Sequence, residues 1–190
     1  MPEGKIKRRL IDIASINADS TLLDFGCGTG TLTIMAKEAA PNAKVIGLDV
    51  DVEILNKAID KAKEKDIDVL LFNYDGSKLP FQNDSFDRVI SCLVFHHLDT
   101  GTKEKALSEI FRILRKNGQI HIADFGRSNS WIQRTLFNII RGLDGFNSTD
   151  ANAKGLLPKM ISDTGFEDVH IKTRFKTIFG EVQIISAKKI

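Results

Sequence analysis

Five short β-prone runs, TLLDF (21–25), KVIGLD (44–49), DVLLF (68–72), FDRVISCL (86–93) and QIHIADF (119–125), alternate with segments whose apolar residues recur at helical spacing. Strands separated by helices cannot fold back as tight hairpins. They pair in parallel through crossovers, and the resulting sheet carries helices on both faces. The clearest helices are 31–40, 52–65 with Ile54, Leu55, Ala58, Ile59 and Ala62 on one stripe, and 102–115 with Ala106, Leu107, Ile110 and Leu114 on another. Asp51 and Thr102 are read as N-caps, and Asn117-Gly118 as a left-handed C-cap leading into the fifth strand.

Beyond Phe125 the alternation stops. A helix is expected over 131–141, then a loop in GLDGFNSTDANAKG, then a helix over 156–164. The runs EDVHIKTRF and GEVQIISAKK read as an antiparallel pair at the sheet edge. The expected fold is therefore a doubly wound, mostly parallel seven-stranded α/β sheet, Rossmann-like, with an antiparallel edge strand. No repeat or linker divides the chain, and its 190 residues suffice for a single domain, 1–190, burying roughly 70% of the unfolded surface.

Within that frame, LLDFGCGTGTLTIMAKEAA, residues 22–40, places Gly26, Gly28 and Gly30 between a strand and a helix. Glycines there allow positive φ and a close backbone approach, and the helix N-terminus behind them suits a nucleotide-like ligand. The spacing is DxGxGxG, starting from Asp24. A nicotinamide or flavin fingerprint would need a third glycine at 31 or 33, where Thr31 and Thr33 stand, and no glycine-lysine-serine/threonine ending marks a phosphate loop. Asp49 closes the second strand, where a carboxylate can accept both ribose hydroxyl hydrogens; the alternative, a helix-start carboxylate, suits Asp51 better.

The stretches LLDFGCGTGTLT, VIGLDVDVEIL, NYDGSKLPFQNDSFDRVISCLVFHHL and EIFRILRKNGQIHIADF resemble, in order and spacing, the four successive motifs of class I S-adenosylmethionine-dependent methyltransferases. They cover about 22–125, and the resemblance is closest to the broad group that methylates small molecules and quinone-like lipids. It implies S-adenosylmethionine as cofactor and in-line methyl transfer to a small-molecule acceptor. It also implies that the glycine loop lies along the methionine part, that an acid matching Asp49 binds the ribose, that an acid matching Asp75 meets the adenine amino group, and that Cys92 borders the cofactor. The implied cofactor set is Asp24, Gly26, Gly28, Gly30, Asp49, Val50, Asp75, Gly76 and Cys92.

Several of these residues have a second explanation. Asp75 in YDGS would form an Asx-type turn without any ligand, and Val50 and Tyr74 could sandwich the purine or pack in the core. Cys27 reads as a small loop residue rather than a nucleophile. His96 and His97 follow the fourth strand and are the candidates for a base, if the acceptor needs one; the alternative is one capping histidine and one packed one. Substrate choice is expected in the N-terminal helix and in a variable insert, about 126–155, where Trp131, Phe137 and Phe146 are aromatic and Trp131 is the acceptor-site candidate.

Composition excludes more than it assigns. The net charge is only +2, and the short basic KIKRR reads as a solvated helix face, so a nucleic-acid partner is not expected. The Asp/Asn-Pro-Pro-Tyr signature of nucleobase amino methylation is replaced by SCLVFHH. Two cysteines without ligand spacing give neither a disulfide framework nor a zinc site, and no run is long and apolar enough to span a bilayer, so a cytoplasmic location is expected. The competing reading of the whole chain is a methyltransferase-like partner subunit that binds the cofactor without turning it over.

Overall fold

The structure, a computed structural model, describes residues 3–126, 155–178 and 180–190. In chain order the elements are α1 (Glu3–Ala14), β1 (Thr21–Phe25), α2 (Thr31–Ala39), β2 (Lys44–Asp49), α3 (Val52–Glu64), β3 (Leu70–Asn73), β4 (Phe86–Cys92), a 3-10 turn (Phe95–His97), α4 (Thr100–Ile113), β5 (Leu114–Phe125), α5 (Leu157–Asp163), β6 (Glu167–Thr177) and β7 (Gly180–Lys188). The expected helix over 131–141, its loop, and Trp131, Phe137 and Phe146 lie outside the described residues.

The strands form one seven-stranded sheet in the order β3-β2-β1-β4-β5-β7-β6. β1 to β5 pair in parallel, whereas β7 pairs antiparallel with both β5 and β6. The expected antiparallel pair is thus at the sheet edge, with β7, the strand that runs against the rest, one place in from the rim.

Adjacent strand residues point to opposite faces, which is why the central strands read as unbroken apolar runs. Leu22, Val45, Ile90, Ala123 and Ile184 join a core with Ile6 and Leu10 of α1 and Leu32 and Ala36 of α2. Their neighbours Leu23, Ile46, Val89, Ile122 and Ile185 join a second core with Leu107 and Ile110 of α4 and Met160 and Ile161 of α5. Of the basic residues of KIKRR, Lys5, Arg8 and Arg9 are exposed, as a solvated face should be, but Lys7 is half-buried because it turns toward the sheet; Ile6, Leu10, Ile11 and Ala14 are buried.

Two boundary expectations are corrected. Asp51 does cap α3, accepting the Ile54 N–H at 3.0 Å. Thr102, however, is not the cap of α4: Asp99 is, its carboxylate accepting the Thr102 N–H at 2.7 Å, so the helix starts a turn's fraction earlier, at Thr100. At its other end α4 stops at Ile113, because Leu114 is already extended and pairs with Phe86. Asn117 does take the left-handed conformation, at φ 66°, but inside β5, where its N–H donates to the Lys189 carbonyl at 2.7 Å and Gly118 accepts from Lys189 N–H at 2.9 Å. A register shift between Phe86 and Arg88 absorbs the irregular stretch, so the turn chemistry there bends a strand rather than ending a helix.

Candidate functional site

The carboxyl ends of β1, β2 and β4 converge on a cavity of about 450 Å³, within the roughly 300–1,000 Å³ of small-molecule sites. Its lining includes Phe25 and the loop residues Gly26 to Thr29, Asp49 at the end of β2 and Val50 after it, Tyr74 after β3, Cys92 at the end of β4 with Leu93, Val94, His97 and Leu98 after it, and Glu3 and Lys7 of α1.

Backbone bonds shape the loop after β1. Gly26 and Cys27 both donate N–H groups to the Leu48 carbonyl, at 2.8 and 3.0 Å, and Gly30 donates to Cys27 O at 3.0 Å. Gly26, Gly28 and Gly30 all have positive φ, at 72°, 53° and 70°. Their surroundings nevertheless differ. A Cβ on Gly26 would stand 2.5 Å from Val94 Cγ2 and one on Gly30 2.9 Å from Ala58 Cβ, whereas one on Gly28 would meet only Ile54 Cγ2, at 4.0 Å. The protein's own packing requires the outer two glycines. Of the three, Gly28 leaves bare backbone facing open space, and beyond it Gly30 stands at the N-cap of α2 with no side chain capping the helix N-terminus.

Asp49 ties this loop to β2. Its Oδ2 accepts the Gly28 N–H at 2.7 Å and its Oδ1 accepts the Asp51 N–H at 3.0 Å, so each oxygen keeps a lone pair beside the cavity. Behind the loop, Asp24 is fully buried. Its Oδ2 accepts from Thr33 Oγ1 at 2.6 Å and its Oδ1 has no hydrogen-bond partner. Burial pushes the Asp24 carboxyl up to about 7, against the opposing pull of the Thr33 hydroxyl and the Lys7 ammonium.

Val50, 56% exposed, is no core residue and borders the cavity from outside, while Tyr74 packs its ring against Phe25 at 6.3 Å and burial raises its hydroxyl to about 12. Asp75 does what its local sequence suggested: its Oδ1 accepts from Ser77 N–H at 2.9 Å and Ser77 Oγ at 2.5 Å, bonds that hold its carboxyl below the usual range. Cys27 and Cys92 both have thiols pushed up by burial, Cys92 to about 12, so neither is a thiolate near neutrality.

The side formed by β4 differs in character. Leu93, directly after the strand, holds φ at 60°, rare for a residue with a side chain, and donates its N–H to Ala123 O at 2.8 Å. The 3-10 turn then sends its two histidines different ways. His97 lines the cavity. His96 turns to Asp124 at the end of β5, with Nδ1 3.0 Å from Asp124 Oδ1 and its backbone N–H donating to Oδ2 at 3.2 Å.

Of the residues expected at the site, the fold brings Gly26, Gly28, Asp49, Val50, Cys92 and His97 into the lining. It places Asp24 and Gly30 behind the loop, Asp75 and Gly76 in the neighbouring turn, and His96 against β5. Asp124, Lys7, Glu3 and Leu93 belong to the site or its support and were not singled out from the sequence. The signal for Asp124 was a carboxylate next to last in the mostly apolar run HIADF; for Lys7 and Glu3 it was only their place in the N-terminal helix, where substrate choice was expected.

Comparison with known proteins agrees with this geometry. A family described as a methyltransferase domain matches residues 22–118. A demethylmenaquinone methyltransferase of Thermus thermophilus is 35% identical over 119 residues, 63% of this chain and 53% of that protein. A ubiquinone/menaquinone biosynthesis C-methyltransferase of Bdellovibrio bacteriovorus is 30% identical over 70% of this chain and 55% of its own length. The chain thus spans about half the length of these two relatives. Among solved structures, the YcgJ protein of Bacillus subtilis superposes with a TM-score of 0.80 at 17% identity, covering 98% of each chain. Magnesium protoporphyrin IX methyltransferase of Synechocystis, solved with bound S-adenosylhomocysteine, gives 0.74 at 20% identity over 100% of this chain and 82% of that one.

Proposed function

The chain belongs to the class I S-adenosylmethionine-dependent methyltransferases, and from that premise we propose that it transfers a methyl group from S-adenosylmethionine to a small, largely apolar acceptor of the reduced-quinone type. The observation that carries the cofactor assignment is the pairing of Gly28 with Asp49: bare backbone facing open space, fixed by a carboxylate that retains acceptor capacity on both oxygens. Asp49 receives the ribose hydroxyls, the backbone from Gly26 to Gly30 receives the methionine part, and Val50 and Tyr74 flank the purine. Asp75, one residue past Tyr74, meets the adenine amino group through the oxygen that Ser77 does not hold. Cys92, uncharged near neutrality, borders the reacting end without competing as a nucleophile.

When bound, the cofactor supplies a methyl group on a positively charged sulfonium that departs as a neutral thioether, so the protein supplies alignment and a water-poor slot rather than a triad. Leu93, Val94 and Leu98 give the acceptor side apolar walls, and the relatives whose names specify demethylmenaquinone or ubiquinone/menaquinone act on molecules that suit such walls. Among the described residues no helix is long and apolar enough to cross a membrane.

The test is direct. S-adenosylhomocysteine at 100 times its dissociation constant should stabilise the fold by about 2.7 kcal/mol. No thermal shift at millimolar ligand would end the cofactor assignment. Turnover of a short-chain prenylated naphthoquinol lacking the ring methyl, followed as methylated product by mass spectrometry, tests the acceptor.

A further inference from the structure

We propose that Lys61 of α3 is a positioning residue of the cofactor half of the cavity: through the hydroxyls of Thr29 and Thr31 it latches the glycine loop against α3, so that the cofactor meets a wall already in place. The effect on the ligand rests on the S-adenosylmethionine reading above; the latch itself does not.

α3 runs along the loop on one face. Ile54, Ala58 and Lys61 follow one another at the four- and three-residue intervals that bring side chains of successive helical turns into a row. Ile54 lies opposite Gly28, where an added Cβ would come within 4.0 Å of its Cγ2, and Ala58 lies against Gly30, at 2.9 Å. One turn on, the Lys61 ammonium donates to Thr29 Oγ1 at 3.1 Å and to Thr31 Oγ1 at 2.9 Å, one hydroxyl on either side of Gly30. The N-cap of the same helix, Asp51, donates its N–H to Asp49 Oδ1, and Asp49 Oδ2 holds the Gly28 N–H. The loop is therefore tied to α3 at two places, through Asp49 at Gly28 and through Lys61 at Thr29 and Thr31.

Thr29 lines the cavity, so the second tie ends on the ligand's side of the loop. Glycine takes positive and negative φ about equally, and Gly30 does not hold its φ of 70° by its own preference. Lys61 fixes both of its neighbours. Charge does not account for the arrangement: among the described residues the ammonium meets these two hydroxyls and no carboxylate, and it stands beside the first residues of α2, where the helix dipole disfavours a cation. One bond is exposed and the other part-buried, and the dipole works against both, so they serve the shape of the loop more than the stability of the fold.

The experiment measures loop opening, ligand affinity and global stability in the full chain. Lys61→Met keeps the reach of the side chain and removes its donors. In the free variant the Gly28 and Gly30 amides should exchange with solvent about tenfold faster by NMR, and S-adenosylhomocysteine should slow them again. Calorimetric titration should find S-adenosylhomocysteine bound about tenfold more weakly, the loss that follows when the loop is competent about a tenth of the time, while the urea midpoint stays at the parental value. Thr31→Val cuts the same latch from its other end, outside the described cavity lining, and should move exchange and affinity in the same direction, so the test does not depend on one variant folding. Adding it to Lys61→Met should cost no further affinity.

Parental exchange of the loop amides in the variants that fold would overturn the latch, and faster exchange with parental affinity would overturn its role in binding. Exchange accelerated across the whole sheet together with a lowered urea midpoint would reduce Lys61 to an ordinary structural bond. Affinity losses that multiply in the double variant would show that Lys61 does not act through Thr31. A parent that fails to bind S-adenosylhomocysteine would end the cofactor reading and the binding role with it, while amide exchange in the free protein still decides the latch.

Discussion

The two halves of the cavity are built by different means. On the β1–β2 side the walls are backbone: loop amides donating to Leu48 O and to Asp49, three glycines with positive φ, and a helix start without a cap. On the β4–β5 side the walls are side chains held by other side chains, with His97 against His96, His96 against Asp124, and Leu93 in a conformation its own chemistry disfavours. A backbone-built wall recognises what every cofactor molecule has in common. A side-chain wall can be retuned by single substitutions, which suits the side proposed for the acceptor.

The largest expected effect breaks the backbone half. Asp49→Ala removes both the proposed ribose acceptor and the anchor of Gly28, and should weaken S-adenosylhomocysteine by about 2–4 kcal/mol in calorimetric titration. An affinity within twofold of the parent would show that the loop, not the carboxylate, carries recognition.

The glycines sharpen the contrast further. Gly26→Ala drives a Cβ into Val94 and should lower unfolding stability by about 1–3 kcal/mol, a loss that adding Val94→Ala partly restores. Gly28→Ala has room in the protein and should cost only about 1 kcal/mol for its left-handed φ while abolishing measurable cofactor binding. Equal stability losses in the two variants would erase the distinction between packing glycine and ligand glycine.

A third comparison, through pH, sets Asp24 behind the loop against His121, which stands in the same register row two strands away. Asp24, raised by burial to about 7, binds more protons folded than unfolded, so its contribution is full below its unfolded value of 3.8 and is lost as pH rises through 7. His121 on β5, bonded through Nδ1 to Ser186 Oγ at 2.8 Å, is lowered to about 3 by burial and by Arg88 and Lys172; its contribution is full above 6.5 and is lost as pH falls toward 3. Between pH 4 and 6.5 the two slopes oppose, each at most about 1.4 kcal/mol per pH unit. Urea titrations should therefore show stability rising with pH in Asp24→Asn and falling in His121→Gln, with the parent flatter than either; parallel slopes in all three would contradict both assignments.

The smallest effect separates cap from ligand group. Asp51→Ala should cost about 1 kcal/mol of stability and leave cofactor affinity unchanged. A matching loss of affinity would mean that the Asp51 N–H held by Asp49 matters to the ligand as well.

What could be read from the sequence follows the same division. β1 and β2 match their expected limits to the residue, and the Asp51 cap was legible because its partner, Ile54, lies three positions on; the glycine loop and Asp49 were legible as residue types at strand ends, although their partners Leu48, Ala58, Val94 and Gly28 come from other elements. The Asp99 cap was missed because Thr102, three residues on and itself a capping type, is the residue that donates to it. Asn117 misled because the same left-handed geometry serves a helix end and a strand irregularity, and only the pairing with Lys189, from far along the chain, decides between them. Asp124 and Lys7 were invisible as site residues for the same reason: their roles exist only once β5 lies beside β4 and α1 crosses them both.

The insertion of β7 between β5 and β6 bears on how the molecule reaches this state. β1 to β5 can pair as they arise, but β5 gains its second neighbour only from residues about sixty positions later, as between His121 and Ser186. Such non-local pairing is slow to form, and until it does β5 offers an open edge rich in buried residues such as Ile120, Ile122 and Ala123. Completion of the sheet is therefore the step at which this chain is most exposed to self-association. A fragment ending before Gly180 should aggregate, as light scattering would register, rather than fold as a smaller sheet.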